Sequence, residues 1–297
     1  MHPPVANAVL IVNPFASQVT MARTQEVRAV LPGEVDVQLT EARGHATELA
    51  RAAVAAGADV IYVFSGDGGF NEVLNGVDGS TPIGFVPGGG TSVLPRALGL
   101  PRDPVAAARR IASGTTRRIS LGRVNGRRFG FNAGIGFDAE LVRRVDALGR
   151  KADGRRPGDV AFAWTALRLV AGRRARYDEA LELEGLGRAA FVLIANCDPY
   201  TYAGRAPLHV APLARFELGL DVVAPASVRA RDLPRLVRYL VRGKGQVDAG
   251  GVIYGHDLDR LVIRCDRPLP LHVDGEDLGD VEEVECSAER DAVSVLV

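Results

Sequence analysis

The chain has 297 residues, 47% of them hydrophobic, enough to bury the cores of two domains. Its 36 Lys and Arg balance 36 Asp and Glu, which leaves no global field to attract nucleic acid. No apolar run approaches the length of a membrane span, and Met1-His2-Pro3-Pro4 does not open a signal peptide, so a cytoplasmic protein with at most peripheral membrane contact is expected.

From Ala8 to about Leu121, short apolar runs alternate with helical periodicity. Ala8–Val12 reads as a strand, Thr20–Leu31 as a helix and Val35–Thr40 as a strand. His45–Ala56 is an alanine-rich helix stopped by Gly57. Val60–Phe64 and Ile83–Val86 read as buried parallel strands, with the first turns of a helix over Phe70–Gly76 between them. Pro104–Ser113 is a further helix, stopped by Gly114. This alternation predicts a parallel α/β sheet with ligands at the carboxyl ends of its strands.

After about Gly122 the texture changes. Arg123–Phe129 is a hairpin with an Asn125-Gly126 turn. Glu179–Glu184, Ala189–Asn196, Leu220–Ala224, Arg260–Cys265 and Leu269–Val273 are strands spaced by turns, interrupted by helices near 137–151, 158–174 and 231–242. The expected organisation is a parallel α/β domain over 1–122 and an antiparallel, β-sandwich-like domain over 123–289. Cys197, Cys265 and Cys286 are too few and too scattered for a disulfide framework or a zinc site, and read as core thiols.

Two glycine loops follow neighbouring strands. Ser65-Gly66-Asp67-Gly68-Gly69 follows the first, and Pro87-Gly88-Gly89-Gly90-Thr91-Ser92 follows the second. Paired loops of this kind make a cradle of backbone N–H groups suited to phosphate, with Asp67 placed within it. Asp67 also reads as a turn residue bonding its own backbone. No Gly-Lys-Ser/Thr follows either loop, so this is not a P-loop, and the glycine spacing does not suit a dinucleotide fold.

Ser65-Gly66-Asp67-Gly68 with Asn71-Glu72-Val73 and Asn75-Gly76 resembles the signature of the diacylglycerol kinase and sphingosine kinase catalytic domain. Ile11-Val12-Asn13-Pro14, Thr40 with Gly44-His45-Ala46, Arg96–Pro101, Phe131–Ala139 and His272-Val273-Asp274-Gly275-Glu276 resemble further family segments in order. The resemblance implies an ATP- and Mg2+-dependent lipid kinase that phosphorylates a hydroxyl of a diacylglycerol-like or sphingoid-like lipid at the membrane surface. It implies nucleotide contacts from Asn13, Thr40, Ser65, Gly66, Gly68, Gly69, Asn71, Glu72, Gly89, Gly90 and Thr91. The late motif is one that the family brings back toward the cleft between its domains, which makes Asp274 and Glu276 catalytic candidates beside Asp67. Asp138 matches the aspartate that meets the lipid head group in sphingosine kinases. The family fold also returns the last strand, Ala292–Val297, to the first domain.

The residues alone leave plainer roles open. Asn13-Pro14 reads as a turn, Thr40, Thr91 and Asp138 as helix caps, and Asp274-Gly275-Glu276 as a solvated hairpin tip. Residues 158–176, apolar and aromatic with Arg168, Arg173, Arg174 and Arg176, suit either a core stripe or a lipid-facing helix.

The chain also departs from the family pattern. Gly69 replaces a threonine, and Ser92 and Val93 stand where Asn and Asp are usual. In the segment that resembles the family's structural magnesium site, Ala211–Asp221, only Glu217 and Asp221 are acidic, too few oxygens for a hard cation. A non-catalytic nucleotide- or lipid-binding protein and an NAD kinase are the alternatives. Unpaired sheet edges in the second domain leave room for a homodimer.

Overall fold

The computed structural model describes residues 7–147 and 177–297. The helix expected over 158–174 lies outside them. Two compact units emerge, one comprising residues up to 120 together with 291–297, the other residues 121–290.

The first unit runs β1 (Ala8–Val12), α1 (Met21–Val30), β2 (Val35–Leu39), α2 (His45–Ala55), β3 (Val60–Ser65), α3 (Asp67–Leu74), β4 (Ile83–Pro87), α4 (Val93–Ala97) and α5 (Pro104–Ser113). The strands pair in parallel in the order β4-β3-β1-β2, with Ala8 opposite both Val35 and Val60 and Ile61 opposite Ile83. Every residue of β1, β3 and β4 is buried, which is why these strands read as unbroken apolar runs rather than alternating ones. The helices start where their caps dictate. Thr20 Oγ1 accepts the Arg23 N–H at 3.2 Å to open α1. Asp103 accepts the Ala106 N–H at 2.9 Å, with Pro104 in the first turn, to open α5. α5 lies close over β4 because Gly84 has no side chain; a Cβ there would sit 2.8 Å from Ile111 and from Tyr62.

β5 (Thr116–Val124) leads into the second unit, which continues with β6 (Arg127–Phe129), β7 (Asn132–Ile135), α6 (Phe137–Ala147), β8 (Leu181–Leu183), β9 (Gly187–Ala189), β10 (Val192–Ala195), β11 (Thr201–Ala203), β12 (Ala206–Leu208), β13 (Leu220–Pro225), α7 (Leu233–Arg242), β14 (Val252–Leu258), β15 (Arg260–Val273) and β16 (Glu276–Leu296). The pairing is antiparallel in the order β14-β13-β10-β7-β15. β15 is one strand of 14 residues where two short ones were expected. Its first half pairs with β8 and its last residues with β7, so a single strand serves both halves of the core around Phe129, Leu183, Ile194, Ile263 and Val284. The end of β16 belongs to the first unit, where Val295 pairs in parallel with Ile83 of β4. None of the three cysteines forms a disulfide; burial lifts the thiol of the partly buried Cys265 to about 11 and that of the buried Cys286 to about 12, as suits unreactive sulfurs.

Candidate active site

The parallel register carries Asn13, Thr40, the Ser65–Gly69 loop and the Gly88–Thr91 loop to the carboxyl ends of four adjacent strands. The two loops touch backbone to backbone. The Gly88 N–H donates to the Ser65 carbonyl at 2.7 Å, and a Cβ on Gly89 would lie 2.9 Å from Gly66 Cα. Gln18, which the sequence did not single out, pins the second loop twice. Its backbone N–H donates to the Gly88 carbonyl at 2.9 Å and its side chain to the Gly89 carbonyl at 2.7 Å. Ser92, at φ 47°, closes the loop by accepting the Gly89 N–H at 3.2 Å.

Helix α3 begins at Asp67, three residues before the expected Phe70. Gly68 and Gly69 therefore belong to its first turn, where N–H groups without helical partners collect positive potential. Gly69 is there for space: a Cβ would fall 2.1 Å from Ser65 Oγ. Gly90 is different, with open space where its Cβ would be. Asp67 is half-buried and accepts the Leu94 N–H at 3.3 Å, which ties the first loop to the start of α4.

Other predicted contacts do architectural work. Glu72 accepts the N–H groups of Gly44 and Ala46 at 2.8 and 3.2 Å, capping α2 from a neighbouring helix. Asn71 is fully buried, with its carbonyl accepting from Asn75 Nδ2 at 2.8 Å. Asn13 Oδ1 accepts the Phe15 N–H at 3.0 Å, and Thr40 is buried beside Val12, so both also hold the turns they occupy.

In the second unit, Asp274 and Gly275 form the turn between β15 and β16 with φ of 48° and 77°, the left-handed pair of a tight hairpin. The tip is not solvated. Asp274 is 4% exposed, and its carboxylate accepts the N–H groups of Gly130, Phe131 and Asn132 at 2.7, 3.0 and 3.1 Å. Glu276 pairs with Arg127 at 3.1 Å.

Asp138 lies in the first turn of α6. Its Oδ2 meets the Tyr200 hydroxyl at 2.7 Å and His272 Nε2 at 2.8 Å. Burial pushes the Asp138 carboxyl up, but the charge and hydrogen bond of His272 and the Tyr200 hydroxyl outweigh it and leave it below its ordinary range. Burial and the same carboxylate hold the Tyr200 phenol well above its own. His272 entered the sequence reading only as part of the late motif, with no role of its own, and Tyr200 not at all, because only the folded chain brings the end of β15 and the residue before β11 to α6.

Glu217 and Asp221 do not fit a structural cation. Asp221 is wholly buried with its oxygens filled by protein donors: the Tyr254 hydroxyl at 2.7 Å, His256 Nδ1 at 2.8 Å and the Asp257 N–H at 3.1 Å. Glu217 is exposed, and no group of three metal-ligating side chains occurs among the described residues.

Residues 7–124 match the family model of the diacylglycerol kinase catalytic domain. The match spans the described part of the first unit up to β5. Across a longer span, the chain is 27% identical to the diacylglycerol kinase of Bacillus subtilis over 261 residues, 82% of this chain and 79% of the relative. It is 40% identical to the diacylglycerol kinase of Mycobacterium tuberculosis over 110 residues, which cover 35% of this chain and 36% of the relative. Among solved structures, a Bacillus anthracis protein provisionally named a diacylglycerol kinase superposes with a TM-score of 0.78 at 20% identity, covering 100% of this chain and 96% of that one. An Archaeoglobus fulgidus NAD kinase in complex with ATP gives 0.53 at 13% identity, covering 98% and 93%. At those identities the superpositions speak to fold. Within the matched segment, the motif residues divide into those that brace the helices, such as Glu72 and Asn71, and those left accessible at the strand ends, Asp67 to Gly69 and Gly89 to Thr91.

Proposed function

We propose that the chain is an ATP- and Mg2+-dependent lipid kinase whose acceptor is a hydroxyl of a diacylglycerol-like or sphingoid-like lipid. The observation that carries this reading is the pair of mutually braced glycine loops at the carboxyl ends of β3 and β4, with Asp67 between them, inside the segment that matches the diacylglycerol kinase catalytic domain. The nucleotide phosphates would lie against the first turn of α3 and against Gly89, Gly90 and Thr91, with Ser65, Asn13 and Thr40 at the neighbouring strand ends. A magnesium ion bound through substrate phosphates needs only one or two protein carboxylates, and Asp67 is the carboxylate in the loops. That ion would supply neutralisation of the phosphate charge.

In the reaction the acceptor's hydroxyl oxygen attacks the γ-phosphorus, the bond to the β–γ bridging oxygen breaks, and the hydroxyl proton passes to a carboxylate. Asp67 and Asp274 are the candidates for that carboxylate, with Glu276 beside the second. Asp138, already accepting from Tyr200 and His272, is the candidate for binding the acceptor's head group. The lipid acceptor is met at a membrane surface.

The test is transfer of radiolabelled γ-phosphate from ATP to a mixed lipid extract, by wild type and by Asp67→Asn. Labelled lipid from the wild type alone supports the reading. Nucleotide binding without any labelled lipid would identify a non-catalytic binding protein instead, and label on NAD would make it an NAD kinase.

A further inference from the structure

Helix α7 carries more apolar and basic surface than its own packing consumes. Leu233, Leu236 and Leu240 follow helical spacing and are half-buried against the clusters around Phe191 and Tyr200, yet no residue of the helix is fully buried. At 3.6 residues per turn the next stripe holds Pro234, Val237 and Val241, and the two valines are 57% and 60% exposed. Beyond it runs a ridge of Arg231, Arg235, Arg238 and Arg242, followed by Lys244 just past the Gly243 stop.

The charge is local. Residues 229–244 hold six Arg or Lys against one acidic residue, in a chain whose totals balance. Asp178 matches Arg229 at 2.6 Å and Asp232 matches Arg235 at 3.5 Å. Arg231, Arg238, Arg242 and Lys244 have no carboxylate partner among the described residues.

We propose that α7 is a docking surface for the anionic headgroup layer of a phospholipid bilayer. The helix lies in the plane of the surface, with Val237 and Val241 at the acyl boundary and the arginine ridge on lipid phosphates. An interfacial helix needs only this combination, a shallow apolar stripe beside a cationic face. A second copy of the chain would set one cationic ridge against another. An acidic protein would match the charge, but two valines and a proline fall short of the apolar centre that a stable protein interface buries. The inference rests on α7 alone and not on the reaction proposed above.

Sedimentation with vesicles of phosphatidylcholine, with and without phosphatidylglycerol, tests it in the absence of nucleotide. The wild type should bind the anionic vesicles, bind the neutral ones far less, and be released by salt. Each basic residue near an anionic leaflet contributes about fivefold to partitioning, so R238Q/R242Q should bind about 25-fold more weakly. V237D/V241D should lose binding with an unchanged thermal midpoint, since both positions face solvent. In V237W the added tryptophan's emission should move to the blue on anionic vesicles. Equal binding to neutral and anionic vesicles, undiminished binding by R238Q/R242Q, or an unshifted V237W spectrum would each overturn the proposal. A dimer that becomes a monomer in V237D/V241D, with vesicle binding intact, would assign the face to a second copy instead.

Discussion

Glu72 holds Gly44: the carboxylate of α3 accepts the backbone N–H that opens α2, at 2.8 Å, and the Ala46 N–H at 3.2 Å. Gly44 sits at φ 87° and offers no side-chain cap of its own, so the donors of α2 depend on a residue 28 positions away. Caps of this kind are worth about 1–2 kcal/mol. Glu72→Ala is expected to lower unfolding stability by about that amount while leaving nucleotide affinity unchanged. Urea unfolding and nucleotide titration of the same variant check both halves.

The loop glycines separate by the same logic. Gly69 and Gly89 have no room for a Cβ, which would stand 2.1 Å from Ser65 Oγ in one case and 2.9 Å from Gly66 Cα in the other. Gly90 has nothing within 4 Å of that position. Gly69→Ala and Gly89→Ala should therefore destabilise the fold, by about 1–3 kcal/mol as overpacking does. Gly90→Ala should keep its thermal midpoint and weaken nucleotide binding, because the methyl group would occupy space left for the ligand. An unchanged nucleotide affinity in Gly90→Ala would remove Gly90 from the phosphate cradle.

The two candidate proton acceptors predict different failures. Asp67 is half-buried and accepts the Leu94 N–H at 3.3 Å, whereas Asp274 accepts three N–H groups from residues 130–132. An asparagine at 274 keeps one acceptor oxygen and sets an amide against donors, which leaves buried N–H groups unmatched at about 1–3 kcal/mol. Asp274→Asn should lose stability as well as turnover. Asp67→Asn should lose turnover with a nearly unchanged unfolding midpoint. Wild-type turnover in either variant excludes that residue as the base.

What was legible in the sequence was whatever is set by neighbours along the chain. β1, β3 and β4 stand out because burial on both faces makes them continuous apolar runs, and α5 because Asp103 and Pro104 announce its start. The glycine loops were legible for a similar reason, since glycine is local chemistry. Gln18 was not, because its partner carbonyl on Gly89 lies 71 residues away. β14 was missed because its half-exposed residues show no clean alternation, and the β11–β12 hairpin because its strands have three residues each. The Asp274 tip reads as solvated in sequence, and is covered only because residues 130–132, more than 140 positions earlier, turn their N–H groups toward it.

Asp138 sets an acid limit on the second unit. With its folded value depressed below the unfolded one of about 4, the carboxylate stabilises the fold above that pH, and the contribution disappears as pH falls through the folded value. Glu289, held down chiefly by its hydrogen bond to Arg128 against the opposing effect of burial, acts in the same direction. The stability gap between wild type and Asp138→Asn should be full near neutrality and should narrow below about pH 4. Thermal midpoints measured across that range give the curve, and a gap that widens toward acid would reverse the assignment.

Asp221 makes the last prediction, on metal removal. Tyr254, His256 and the Asp257 N–H already occupy its oxygens, and Arg290 holds Asp257 from the other side at 2.8 Å. Burial and the Asp221 carboxylate keep the Tyr254 phenol well above its ordinary range, so it remains a donor throughout the neutral and mildly alkaline range. The segment is thus braced by the chain's own donors where a divalent cation would otherwise gather acidic side chains. A chelator should leave the thermal midpoint unchanged. Asp221→Ala should lower stability by about 3 kcal/mol, because the wholly buried carboxylate is the shared acceptor of the Tyr254 hydroxyl, His256 and the Asp257 N–H, and all three lose it together. A midpoint that falls on chelation and returns with magnesium would show that a cation, not this network, holds the segment.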